Sequence, residues 1–354
     1  MRDLSVSIAK GIAIILMVMG HAGCPDTVNS CLGMMRMPLF FFMSGYCFKE
    51  KYLSDAATYM KRRVTGIYWP YLKWSLFFLF IHNICFSVNI YSDEYGFLGK
   101  TSMLYSTADF LEHGKDIVTK MAGHEQLLGG FWFLKSLFVG SILFFATRKV
   151  FSFAVSRFWG IASLLIIAIL MSYFEWKMPY FRISSREFLA SSFIYAGHLY
   201  KSYQLSWHKN LWFCFFAIIA VGIGCVYCPA SMLSYKWWQV VPYALCALLG
   251  TLVIFNISYQ LSQYTANVGT KFLIYVGGYT FNVLTWHFLS MKLVSLLLIA
   301  IYGLPIKQLS EFPVIEKYAH QGWWILYLCV GVSIPVLWTY CYHRLKDTIC
   351  GSNI

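Results

Sequence analysis

Apolar stretches near the length of a membrane-crossing helix recur along the whole chain, separated by short polar segments. Every backbone polar group must be satisfied internally in hydrocarbon, so only α-helices and closed β-barrels cross a bilayer. Barrel strands alternate apolar and polar residues, and these stretches do not alternate. Charged residues make up only 12% of the 354 residues, too few for ordinary soluble domains. We therefore predict an all-α, polytopic integral membrane protein, with about ten transmembrane helices around a central polar cavity.

The apolar stretches place the predicted helices at 5–24, 34–48, 66–90, 131–147, 158–175, 187–201, 210–228, 237–258, 278–302 and 323–343. An even number of spans leaves both termini on one side of the membrane. The basic residues of segment 49–63, together with Arg344 and Lys346, identify that side as the cytoplasm. We expect residues 1–354 to form a single integral-membrane domain without an appended soluble domain, located as a multi-pass protein in the cell (inner) membrane.

The net charge of +13 is explained by the same topology. Most of the excess Lys and Arg falls in segments assigned to the cytoplasm, whereas the outer segments carry nearly balanced charges. This asymmetry is the positive-inside bias of membrane proteins. We therefore expect the lipid bilayer as a partner and no nucleic acid.

The first predicted helix carries Lys10 and His21 within an otherwise apolar run. Eleven helical residues make about three turns, so both side chains lie on one face, about 16 Å apart along the axis. A cation and an imidazole in such a run cost free energy unless they line a polar path. The next arm contains Pro38 and ends in Ser44 and Gly45, small residues that let another helix approach closely. The hairpin therefore predicts a polar path along the first helix.

This hairpin resembles the opening of acyltransferase family 3, whose membrane proteins O-acylate extracytoplasmic sugars and glycans. The first helix of that family carries a basic residue, ten residues and a histidine, and its second helix is similar to MPLFFFMSGY. Three later segments, KRRVTGIYWPYL, GFWFLKSLF and GGYTFNVLTWHF, resemble further family segments in the same order. Lys10 stands where better-known members have arginine, and Arg36 where a histidine commonly precedes Met-Pro.

The resemblance implies a membrane O-acyltransferase that moves an acyl group from cytoplasmic acyl-CoA to a hydroxyl of an extracytoplasmic sugar or surface polysaccharide. Acetyl-CoA is the expected donor, bound as a substrate, and no bound cofactor is expected. A neutral imidazole accepts a hydroxyl proton near neutral pH, so His21 is the candidate catalytic base, with or without an acyl-His21 intermediate. The donor phosphates are expected at Lys10 or at Lys61, Arg62 and Arg63. Further residues expected to line the cavity are Arg36, Ser44, Trp132, Lys135, Tyr279 and His287.

Two non-enzymatic interpretations compete with this hypothesis. An exporter or accessory subunit for a surface polysaccharide would also need a polar intramembrane cavity, but such transporters often show paired halves with broken helices, and the sequence has no such symmetry. A purely structural membrane subunit would leave the polar intramembrane residues without a purpose, namely Lys10, His21, Lys135, His287 and Lys292.

The longest loop, Tyr91 to Gly130, is rich in acidic residues and is assigned to the outside. It is too short for a separate catalytic domain. It is interpreted either as a solvated connector, which we favour, or as a lid over the acceptor site.

The cysteines do not predict a metal site. Cys225 and Cys228 have CxxC spacing, but no second pair and no adjacent histidine accompanies them. The remaining cysteines lie mostly in apolar helices, where a free cysteine behaves as a small hydrophobic residue.

Overall fold

The computed structural model describes residues 3–98, 101–153 and 157–349, and these form a bundle of α-helices. The helices are α1 (Leu4–His21), α2 (Asp26–Tyr46), α3 (Ala56–Arg63), α4 (Trp69–Phe80), α5 (His82–Ser87), α6 (Thr107–Lys120), α7 (Trp132–Val150), α8 (Arg157–Tyr173), α9 (Ser185–Ser202), α10 (Leu211–Tyr227), α11 (Val240–Leu261), α12 (Val268–Gly278), α13 (Thr280–Tyr302), α14 (Glu316–Tyr318) and α15 (Trp324–Ile349). Within the described ranges, β-structure is limited to an isolated bridge between Ser231 and Ser234. The all-α prediction is confirmed.

Five helical stretches are long and apolar enough to cross a bilayer. They are Leu4–His21, Gln126–Val150, Trp237–Leu261, Thr280–Tyr302 and Glu316–Thr348. Two shorter apolar helices, α8 and α10, accompany them. The polytopic membrane class is thus confirmed, but a count of about ten spans is not. Helix α9 carries three charged residues, α2 is less apolar than the five stretches, and α4 has only 12 residues, so none of the three meets the same criteria.

Each predicted helix overlaps an observed one, but the boundaries differ, and the described helices α3, α6, α12 and α14 were not predicted. Helix α2 begins at Asp26, eight residues before the predicted start at 34. The predicted helix 66–90 is α4 and α5, joined to α3 through the π-helical segment Val64–Tyr68. Helices α6 and α12 were not predicted, because both begin in polar loop sequence. The N-cap residues of both helices could nevertheless have been recognised in the sequence. Ser106 and Asp109 form a capping box at the start of α6. At the start of α12, the Asn267 side chain accepts from the amide of Gly269 at 2.8 Å.

Helix α1 lies at the centre of the bundle, in contact with α2, α11, α12, α13 and α15. Helices α2 and α9 cross backbone against backbone through two glycines. A Cβ at Gly45 would overlap the carbonyl of Ile194, and one at Gly197 would overlap the carbonyl of Phe42. The predicted close approach of another helix at Ser44-Gly45 is therefore confirmed, and that helix is α9.

The described parts of the loop between α5 and α7 pack against the rest of the protein; we call residues 88–98 and 101–131 the cap. Gln126 is fully buried in it, and its side-chain amide donates to the carbonyls of Ile90 (3.0 Å) and Ser310 (3.3 Å). Its oxygen accepts from the amide of Phe97 at 3.0 Å. These bonds tie the cap to the segment between α13 and α15. The preferred interpretation as a solvated connector is therefore wrong, because buried backbone groups of the loop find partners inside the protein.

A buried histidine–carboxyl pair anchors the cap to α5. His82 is fully buried, and its Nδ1 lies 3.1 Å from the Glu125 carboxyl group while its Nε2 lies 3.0 Å from the Met103 carbonyl. Both ring nitrogens therefore face oxygen atoms of the cap. The ring also stacks on Tyr105, with centroids 3.4 Å apart. The cap is thus held by a hydrogen-bonded pair shielded from water.

We expect His82→Ala to destabilise the protein by about 3–5 kcal/mol, because it leaves the Glu125 carboxylate buried and unpaired. Thermal unfolding in detergent, together with limited proteolysis of the cap, measures the effect. The matched control is Glu94→Gln, which breaks the exposed Lys307–Glu94 pair (2.5 Å) and should change little. A His82→Ala protein that unfolds at the wild-type temperature would show that the pair does not hold the cap.

Candidate active site

The C-terminal end of α1 and the second turn of α13 bring two histidines together. The ring centroids of His21 and His287 are 5.6 Å apart, and the His21 ring lies 4.9 Å from the ring of Phe288. His287 is fully buried, whereas His21 is partly exposed. Residues separated by 266 positions in the chain therefore form one imidazole pair, in which His21 is the member that a substrate can reach.

The hydrogen bonds of His287 determine its tautomer. Its Nδ1 lies 3.0 Å from the carbonyl oxygens of both Val283 and Leu284, so this nitrogen carries the proton and donates. Its Nε2 is buried and has no hydrogen-bond partner among the described residues. In the neutral ring Nε2 holds a free lone pair. A buried lone pair without a donor is costly, so this nitrogen is an unsatisfied polar atom next to His21.

The cap reaches this pair through two glycines in the 3₁₀ segment Gln126–Phe131. A Cβ at Gly130 would lie 3.0 Å from Cδ1 of Leu284 and 3.9 Å from Cε1 of His287. A Cβ at Gly129 would lie 3.0 Å from the ring of Phe312. A side chain at Gly130 would therefore press on the face of α13 that carries His287.

A cavity of about 350 Å³ runs along α1 toward the histidines. Lys10, Ile14 and Met17 line it at the i, i+4, i+7 spacing of one helix face, the face that continues to His21. On α13 the lining includes Leu284, which precedes His287 by three residues. The cavity therefore ends within about one helical turn of both histidines.

Two cations face this cavity, Lys10 from α1 and Arg63 from the end of α3. The Arg63 guanidinium donates to the hydroxyl of Ser44 at 3.2 Å and lies 4.9 Å over the ring of Tyr59. No carboxylate lies within 4 Å of either cation among the described residues. Two cations in an otherwise mostly apolar cavity, without acidic partners in the described part of the chain, favour an anionic ligand.

The π-helical segment Val64–Tyr68 forms part of the wall, with Gly66 and Ile67 facing the cavity. A Cβ at Gly66 would meet no atom within 4 Å, so the glycine leaves open space there. Single π-helical turns inside α-helices occur frequently at functional sites. Here the extra residue in the π-helical turn changes the direction in which the side chains of α4 point relative to Arg63.

A family model described as an acyltransferase domain matches residues 3–343, nearly the whole chain. The chain belongs to acyltransferase family 3. No curated protein and no solved structure matches it. Membership supports a membrane acyltransferase, in agreement with the apolar helices.

In this acyltransferase, five of the predicted site residues lie on or next to the cavity. Lys10, Ser44 and Arg63 line it, and His21 and His287 lie together just beyond its end.

The other predicted residues lie elsewhere, among them Arg36, which contacts Gly20 from a separate pocket. Lys61 and Arg62 are exposed, and the Arg62 guanidinium lies 5.6 Å over the ring of Tyr52. Helix periodicity is the reason, since of three consecutive basic residues only Arg63 can point toward α2.

The three remaining predicted residues pack away from the cavity. The Lys135 ammonium donates to the carbonyls of Phe181 (2.9 Å) and Arg182 (3.4 Å), in the loop after α8. These carbonyls are outside regular helix and therefore free to accept. The Arg186 guanidinium carbon lies over the ring of Trp132, 5.2 Å from its centroid. Tyr279 packs against Tyr275 and His343, with ring centroids 4.8 and 5.0 Å apart.

Sequence reasoning missed Met17, Gly66 and Thr280, all of which line the cavity. Met17 could have been found, because it lies on the helical face between Lys10 and His21. Gly66 carries no such signal, since its position depends on the π-helical turn.

Proposed function

We propose that this family member is a membrane O-acyltransferase that transfers an acyl group from cytoplasmic acyl-CoA to a hydroxyl of an extracytoplasmic sugar or surface polysaccharide. One observation carries the proposal: the cavity with two unpaired cations leads to within a helical turn of the His21–His287 pair. Acetyl-CoA is the proposed donor, and the cell (inner) membrane is the proposed location. Mass analysis of surface glycans from cells with and without the protein tests the activity as a whole.

The proposed chemistry uses His21 as general base. The acceptor hydroxyl gives its proton to His21 while its oxygen forms a bond to the thioester carbonyl carbon. The carbon–sulfur bond then breaks, and the proton passes from His21 to the departing thiolate, which leaves as free CoA. Partial exposure of His21 supports this assignment over His287, because a substrate can contact only the exposed ring. His287, with its proton fixed on Nδ1, offers a neutral neighbour that does not oppose the charge formed on His21.

The donor is proposed to enter at the end of the cavity that holds Lys10 and Arg63. The phosphates of CoA match the two cations, and guanidinium groups bind phosphate oxygens in pairs. The rise of α1 from Lys10 to His21 is about 16 Å, similar to the reach of an extended pantetheine arm. A thioester would then lie near His21 while the nucleotide stays at the cytoplasmic face.

We expect Lys10→Ala to raise the KM for acyl-CoA by about 10- to 100-fold, the worth of a charge-assisted hydrogen bond. Lys10→Arg should keep most of the activity, since it preserves the charge. Transfer assays in inside-out vesicles with varied acyl-CoA measure both. The matched control is Lys73→Ala, because Lys73 is an exposed lysine beside Trp74 on α4 and does not line the cavity.

An unchanged donor KM in Lys10→Ala would remove Lys10 from the donor site. Loss of activity in a normally expressed Lys10→Arg protein would indicate a site shaped for an ammonium group rather than for charge alone.

A further inference from the structure

A second pocket, of about 270 Å³, lies between the first half of α2 and the turn that follows α10. Its lining is largely polar, in contrast to that of the donor cavity. The polar side chains are those of Asn29, Ser30, Arg36, Ser231 and Ser234. Its volume is near the lower end of the roughly 300–1,000 Å³ of small-molecule sites. The pocket therefore fits a compact, hydroxyl-rich ligand.

This pocket lies directly against the end of α1. A Cβ at Gly20, the residue before His21, would overlap the Arg36 guanidinium and lie 2.9 Å from the side-chain oxygen of Asn29. The donor cavity includes Met37, the residue after Arg36 on α2. The two pockets therefore approach the catalytic end of α1 from different sides.

Arg36 is the most informative residue in this pocket. Its guanidinium donates to the side-chain oxygen of Asn29 at 2.9 Å, and the described residues place no carboxylate within 4 Å of it. A guanidinium has five N–H donors in a fixed fork, so most of them remain for a ligand. A partly buried cation without a counter-charge is costly, and an incoming anion would remove that cost.

We propose that this pocket is the acceptor site, and that it takes a sugar unit carrying an anionic group, either a carboxylate or a phosphate. Arg36 binds the anion through its free donors, and Asn29, Ser30, Ser231 and Ser234 bind hydroxyl groups. Because Arg36 lies beside the last turn of α1, the anionic group and the hydroxyl presented to His21 lie close together on one sugar unit. That this ligand receives an acyl group rests on the proposed function; that it binds here does not.

Binding without acyl-CoA tests the pocket independently of transfer. The purified full chain in nanodiscs is titrated with a hexuronate oligosaccharide, its carboxyl-reduced neutral counterpart and a sugar phosphate, and calorimetry measures each affinity. We expect at least one anionic ligand to bind about 10- to 100-fold more tightly than the neutral one. Which anionic ligand binds more tightly distinguishes the carboxylate from the phosphate.

The preference should disappear in Arg36→Gln and persist in part in Arg36→Lys. The matched control is Arg344→Gln, which removes an exposed arginine that bonds to Tyr340 on its own helix and should leave all affinities unchanged. Gly33→Val provides a second variant, because a Cβ at Gly33 has only the Ser231 Cβ nearby, at 3.6 Å, and a larger side chain enters the pocket. It should weaken the binding of charged and neutral sugars alike.

Equal affinity for anionic and neutral sugars in the wild type would overturn the proposal. So would a preference for anions that survives Arg36→Gln, or binding that survives Gly33→Val. Arg36-dependent binding of an anionic sugar without any acyl transfer would support the pocket and count against the proposed function alone.

Discussion

Replacing His21 by alanine is expected to lower acyl transfer by about 10² to 10⁴, the usual contribution of a positioned acid–base group, and by more if His21 is itself acylated. The helix should still insert, because alanine is cheaper in the bilayer than a polar side chain. The measurement is the O-acyl content of the glycan, with protein level determined in the same cells. Radiolabelled acyl transfer in vesicles gives the rate.

The matched control for this variant is His320→Ala. His320 is exposed and lies 3.6 Å from the carboxylate of Glu316, one helical turn away. Its loss should leave transfer unchanged. Wild-type O-acylation in a well-expressed His21→Ala strain would refute the proposed mechanism. Loss of the glycan from the cell surface, rather than of its acyl groups alone, would favour the export interpretation.

His287→Ala tests whether the two imidazoles act as a unit. Groups that act together show non-additive effects, so the double variant should be about as slow as His21→Ala alone. Independent contributions would multiply, and a double variant slower by the product of the two effects would show that His287 has a separate role.

Gly66→Trp is expected to raise the KM for acyl-CoA by about 100-fold or more, because the indole would occupy the open space that a pantetheine arm needs. Gly66 lines the cavity, and a Cβ there meets no atom within 4 Å, so a side chain can be added without displacing the backbone. Gly66→Ala should cost little for the same reason. Steady-state kinetics with varied acyl-CoA measure the effect, and acceptor affinity should be unaffected.

Gly222→Trp is the matched control for Gly66→Trp. Gly222 is exposed on α10, and a Cβ there also meets no atom within 4 Å, but it does not line the cavity. The same large side chain in a similarly open helical position should leave the donor KM unchanged. Wild-type kinetics in a folded Gly66→Trp protein would show that acyl-CoA does not use this cavity.

The helical membrane class was predictable from the sequence alone, because the length of an apolar stretch is a local property. In a bilayer, such a stretch must also satisfy its own backbone hydrogen bonds, which favours a helix. The common face of Lys10 and His21 was predictable for a similar reason. Within one helix, spacing determines direction, and Ile14 and Met17 confirm that this face lines the cavity. The family followed from the ordered segments, and the match to residues 3–343 confirms it.

Only the tertiary structure decided which residues meet. His287 reaches His21 because α13 packs on α1, and Arg63, rather than Lys61 or Arg62, reaches the cavity because of the packing of α3 and the following π-helical turn. Lys135 turns to loop carbonyls that no spacing rule could indicate. The acidic loop packs against the protein as a cap because Gln126 and the His82–Glu125 pair make buried contacts with it. Contacts between distant segments depend on helix crossings and on buried hydrogen bonds, and neither is encoded in local periodicity.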